Sequence, residues 1–156
     1  AESTGNFDTG IGTASLSWFV PLLRAQLLTV QGRYEEAIAL FDVNIQSAGA
    51  QGVARLLVSF LADSAWCKFK LGRDLEAAED VARCLDAAAY ECDADDLAAS
   101  LARVATILEA TGETDRARNY RANAEAARDT HSQQQVVLLE LLLNAMPDGR
   151  WNAELP

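Results

Sequence analysis

A forty-residue self-similarity constrains this chain more than any other feature. Gln31-Gly32-Arg33-Tyr34-Glu35-Glu36-Ala37 is echoed by Leu71-Gly72-Arg73-Asp74-Leu75-Glu76-Ala77, and again by Thr111-Gly112-Glu113-Thr114-Asp115-Arg116-Ala117. Gly32, Gly72 and Gly112 stand forty residues apart, and so do Ala37, Ala77 and Ala117. A period of that length marks a chain made by stacking one supersecondary unit, because a lone unit cannot bury its own apolar face.

Each unit is legible in physical terms. Upstream of each glycine runs an apolar pattern of helical period, such as Leu22, Leu23, Leu27, Leu28 and Val30 before Gly32, or Leu101, Val104, Ile107 and Leu108 before Gly112. The glycine supplies the positive φ that ends a helix without a Cβ clash, and a second helix starts just beyond it. Asp74 and Thr114 are the predicted N-caps of second helices, and Glu36 and Glu76 suit the positive end of the dipole. The alanine five residues past each glycine lets the two helices approach closely, where a larger side chain would push them apart.

The pattern predicts helices over 17–31, 34–47, 53–71, 74–90, 95–111, 114–130 and 133–145, with neighbours antiparallel across the short turns. Pro21 fits either the first turn of the first helix or a kink within it. Residues 1–13, rich in Gly, Thr and Ser, read as a flexible lead-in, 14–131 as three repeats, and 132–156 as a C-terminal capping or linker helix with its tail.

Gly32-Arg33-Tyr34-Glu35-Glu36-Ala37, followed by Phe41, resembles the turn and second helix of a tetratricopeptide repeat. The second unit keeps Gly72 and Ala77, with Leu75 and Val81 near the aromatic positions and Cys84 in a slot for a small residue. The third keeps Gly112, Ala117 and Ala124. Ala25, Ala65 and Ala105 stand where that family often has Gly. The resemblance covers roughly 18–128, and its period of forty exceeds the family's usual one, as in the longer repeats of multidomain bacterial signalling regulators. It implies an all-α fold, a right-handed α-solenoid of three helix hairpins closed by a C-terminal capping helix. Its concave face would be lined by the first helix of each hairpin. Carried onto this sequence, that face offers Leu22 and Gln26, Ala62 and Trp66, and Ala102, Arg103 and Thr106. The basic and amide clamp of the family's peptide-carboxylate binders is absent.

Composition narrows the function. A formal net charge of −10, with no cluster of Lys and Arg, speaks against direct nucleic-acid binding. The apolar run 16–30 is interrupted by Pro21 and Arg24, and 136–143 is too short to span a bilayer, so membrane insertion is not expected. Three cysteines, Cys67, Cys84 and Cys92, make no disulfide framework and read as small apolar fillers in a reducing, cytoplasmic setting. The chain does not begin with Met, so it reads as an excised or processed piece, and a periplasmic location after signal removal stays open.

Trp66 and Phe69, three apart on one helix, read as aromatic anchors turned toward the concave groove, or else as packing against the next hairpin. Between Asp74 and Asp96 there are nine acidic residues and one basic residue, Arg83; this is a docking face for a basic partner or, the favoured reading, a solvated helix face. Asp93, Asp95 and Asp96 read as caps and dipole partners rather than a metal site. The run Val136-Val137-Leu138-Leu139-Glu140-Leu141-Leu142-Leu143 is apolar nearly all round, and reads as a cap on the third hairpin, or as a contact with a second chain or a coupling helix into a further domain. His131, the sole histidine, is expected at a helix end.

No Cys-x-x-Cys, His-x-x-x-His, phosphate loop or Gly-x-Ser-x-Gly elbow occurs, so neither catalysis nor a metal or other cofactor is expected. The leading expectation is a protein-interaction module that binds another protein or peptide, as the regulatory or sensory segment of a larger signalling protein. The alternatives are a peptide- or small-molecule-sensing domain coupled to an output domain, and an enzyme with a pocket between hairpins.

Overall fold

A computed structural model of the chain describes residues 13–48, 54–89 and 92–145, and its regular structure there is entirely helical. Six helices follow one another: α1 (Thr13–Val30), α2 (Tyr34–Ala48), α3 (Ala54–Lys70), α4 (Asp74–Ala87), α5 (Ala94–Ala110) and α6 (Thr114–Ala145). The lead-in read over 1–13 lies outside the described residues except for Thr13, which already belongs to α1, and the tail 146–156 lies outside them as well. Pro21 sits inside α1, more than two turns from its start, so the first-turn placement does not hold. Its missing N–H withdraws the donor that the carbonyl four residues earlier would use.

Three helices end in the same way. Gly32, Gly72 and Gly112 have φ of 74°, 72° and 89°. The glycine N–H donates to the carbonyl three residues back, from Gly32 to Thr29 at 3.1 Å, Gly72 to Phe69 at 3.0 Å and Gly112 to Glu109 at 3.2 Å. The next N–H reaches five residues back, from Arg33 to Leu28 at 2.9 Å, Arg73 to Lys68 at 2.9 Å and Glu113 to Leu108 at 2.8 Å. These two bonds are the Schellman pair, which satisfies carbonyls the helix leaves over. The residue after the glycine then opens the next helix, because its carbonyl accepts from Ala37, Ala77 or Ala117 at 2.9–3.0 Å.

One residue therefore closes one helix and caps the next. This corrects the predicted caps: Asp74 and Thr114 lie one position inside, and the N-cap of α4 is Arg73, with no side-chain cap bond. Ion pairs brace two of these first turns instead, Arg33 with Glu36 at 2.5 Å and Arg116 with Glu113. All four side chains are exposed, so water and salt screen each pair and its contribution to stability is small.

Within each joined pair alanines are buried at matching positions. Ala25, Ala65 and Ala105 are fully buried on α1, α3 and α5, as are Ala37, Ala77 and Ala117 on their partners. Small side chains on both helices let the axes approach. α1 packs on α2, α3 on α4 and α5 on α6, while α2 and α5 also pack against α3, and α1 touches α3. The largest buried side chains gather where α2 meets α3: Phe41 and Phe60 are wholly enclosed and meet edge to face at 6.3 Å. Each contributes about 1.5–3 kcal/mol by burial.

The separate helix expected over 133–145 is absent as such, because α6 continues unbroken from Thr114 to Ala145. Ser132 and the three glutamines after it include no Gly or Pro, so nothing there stops a helix. His131 is consequently mid-helix and not at an end. Nor does the last stretch cover the third pair as a cap: every residue from Ser132 to Ala145 is exposed. No helix among the described residues is long and apolar enough to cross a membrane.

Candidate functional site

The forty-residue period places positions 23, 63 and 103 in register on α1, α3 and α5, and positions 26, 66 and 106 one turn further on. Two of these positions are bound together in the structure by a third helix. Asp63 is buried, and its two carboxylate oxygens face opposite neighbours: Gln26 Nε2 on α1 donates to Oδ2 at 3.1 Å, and an Arg103 guanidinium nitrogen on α5 pairs with Oδ1. One carboxylate thus ties together three helices. Beside it, Ser59 Oγ on α3 donates to Asp96 Oδ1 on α5 at 3.0 Å.

These groups border a hollow of 290 Å³ between α1, α3 and α5 that opens to solvent. Its wall carries two carboxylates, Asp63 and Asp96, against one cation, Arg103. Arg103 is only partly exposed, and burial lowers its pKa from the usual arginine value, although the guanidinium stays charged. The hollow therefore carries a small net negative charge and an amide group, held in place by Asp63 in a part-buried network where a satisfied hydrogen bond is worth more than at the surface.

Of the six groove residues expected from the sequence, Gln26 and Arg103 line this hollow. Leu22 does not, because it is buried in the core with Ala25 and Leu28. It faces inward because the apolar stripe of α1, 22, 25 and 28, is the side that α2 and α3 cover. Trp66 is half-buried, its ring 5.9 Å from that of Phe69 and under the ammonium of Lys70 at 5.4 Å. Phe69 belongs elsewhere: it lines an apolar groove of 170 Å³ between α4 and the α5–α6 pair, with Val81, Ile107 and Leu108. Thr106 is exposed and gives its hydroxyl hydrogen to its own helix, at Ala102 O, 2.9 Å away. Asp63 and Ser59 were missed, and Asp96 was read only as a dipole partner at the start of its helix. The signal was the register itself, since Asp63 and Arg103 are an opposite-charge pair at equivalent positions of successive units.

The acidic stretch 74–96 is less uniform than a solvated face. Asp80 is buried and accepts from Lys68 Nζ at 2.6 Å and Ser64 Oγ at 2.7 Å, with Arg83 at 3.2 Å on its other oxygen. Asp74, Glu76, Glu79, Asp86, Asp93 and Asp95 are exposed, as both the solvated-face and the docking-face readings require. Asp93 is the N-cap of α5, with Asp95 and Asp96 in the first turn. Burial raises all three thiols above the ordinary 9.0, Cys84 to about 12 and Cys92 to about 11. A group so held is a filler more than a nucleophile at neutral pH.

No protein-family model, no curated protein and no solved structure matches the chain.

Proposed function

We propose that this chain is a protein-interaction module of tetratricopeptide kind, a right-handed α-solenoid of three helix hairpins. It serves as the regulatory or sensory segment of a larger bacterial signalling protein. Its binding surface is the face that α1, α3 and α5 share. The observation carrying this reading is the joining of Gln26, Asp63 and Arg103, one from each of those helices, around an open hollow. Rigid elements presenting preorganised polar groups are what a recognition surface needs, and the half-buried Trp66 stands three residues beyond Asp63 on the same helix. The two carboxylates of the wall and the net charge of −10 favour a partner segment that brings cationic or amide donors.

The module is proposed as non-enzymatic, without cofactor. A second reading, a domain that senses a peptide or small molecule and passes the change to an attached output domain, is favoured by the continuity of α6. That helix begins in contact with α5 and ends, still helical, at Ala145.

Affinity capture with the intact chain and with a Gln26→Ala/Trp66→Ala variant tests the proposal, with circular dichroism to check that both are folded. The expected outcome is that partners held by the intact chain are lost, a weakening of about 2 kcal/mol or more. Equal recovery by both chains would remove this face from consideration.

A further inference from the structure

The last three turns of α6 are bare. Val136, Val137, Leu138, Leu139, Leu141, Leu142 and Leu143 are all between 46% and 62% exposed. Among the described residues, His131, Gln134 and Gln135 of α6 still border an open hollow with Cys92 and Asp93 at the start of α5. From Val136 onward the helix projects past its neighbours. Seven large aliphatic side chains in that state present apolar surface on the order of 600 Å², the upper end of the largest patch an ordinary monomer shows. One neighbouring helix can reach roughly five of the seven, so two such surfaces together bury on the order of 900 Å², the size of a weak, concentration-dependent interface.

The charge distribution says what can cover them. The chain carries −10, yet between Thr130 and Ala145 the one formal charge at pH 7 is Glu140. Copies that repel one another through their acidic bodies meet no such barrier along this segment. A lipid surface is a poorer match, since interfacial helices carry a Lys- and Arg-rich face opposite the apolar one, and this segment has neither residue.

The sequence register supplies the contact face. Ala117, Ala124 and Ala127, the buried residues of α6, continue at heptad spacing into His131, Leu138 and Ala145 and into Gln134 and Leu141. The side of α6 that α5 covers at one end is thus the side left open at the other. Leu138, Leu141 and Leu142 lie on it, and Glu140 lies on the opposite side. Leu138 and Leu142 are also the least exposed of the seven, at 49% and 46%.

We propose that residues 132–145 are a self-association helix, through which a second copy of this chain covers Leu138, Leu141 and Leu142 with the same face of its own α6. The contact is two-fold and therefore closes at two copies.

Light scattering coupled to size exclusion on the full chain tests this, at loading concentrations about a hundredfold apart. The intact chain should show twice the mass of one chain at the higher concentration. Leu138→Glu/Leu142→Glu should elute at the mass of one chain with unchanged helical ellipticity, its dissociation constant raised at least tenfold. Glu140→Lys, on the far side of the helix, should remain paired. A single-chain mass for the intact protein at the higher concentration would overturn the proposal. So would pairing that survives the double substitution, or loss of pairing in Glu140→Lys. Co-sedimentation of a monomeric intact chain with vesicles of mixed zwitterionic and anionic lipid would assign the segment to membranes instead.

Discussion

At Gly32, Gly72 and Gly112 the backbone occupies the left-handed region, and a Cβ placed there would meet no atom within 4 Å. The penalty for alanine is therefore conformational, about 1–2 kcal/mol, with no steric part. Gly32→Ala, Gly72→Ala and Gly112→Ala should each lower the urea-unfolding free energy by about that amount, equal among the three to within ~0.5 kcal/mol. Unequal losses would mean that the three turns are not equivalent. These glycines and the alanines beyond them were legible because a turn needs one backbone conformation and a close contact needs one small side chain. Leu22 was misread for the opposite reason. A position number taken from another family says which helix a residue is on, and the side of that helix facing α2 and α3 is decided by packing.

Between elements, the second unit departs from its neighbours in a way the structure explains. Lys68 stands where the first and third units have Leu28 and Leu108, and Asp80 where they have Leu40 and Tyr120. The variation at 40, 80 and 120 was visible in the sequence. Its cause was not, because the partner sits twelve residues earlier, across the turn. In place of two apolar side chains, α3 and α4 share a buried ion pair at 2.6 Å, backed by Ser64 and, more distantly, by Asp42 of α2 at 3.9 Å from the ammonium. Removing one partner strands a buried charge, so Asp80→Leu should cost about 3–5 kcal/mol in thermal or urea unfolding. Lys68→Leu/Asp80→Leu restores the apolar pair of the other units, and should recover most of that loss or exceed the parent. A double variant as unstable as the single one would show that the pair is not isolated in this way. The break expected near residue 132 is a second misreading at this scale. A polar Ser-Gln run resembles a linker in composition, but its residues are adequate helix formers and no Gly or Pro interrupts them.

At the scale of the molecule, the all-helical class and five of the six helices among the described residues were readable, because period, turn and small residues all point the same way. The candidate site was readable only in part. Gln26 and Arg103, both expected groove residues, line one hollow, whereas Asp63, which joins them, is a buried acid that an apolar pattern conceals. Its two partners lie on different helices, thirty-seven and forty residues away in sequence, and only the packing of α1 and α5 on either side of α3 brings them together. If the face shared by α1, α3 and α5 receives the partner, hydrogen–deuterium exchange of the intact chain, free and saturated with a captured partner, should slow on those three helices around Gln26, Asp63 and Arg103 and nowhere else. Protection that falls on α2 and α4 and leaves those three helices unchanged would place the partner on another face.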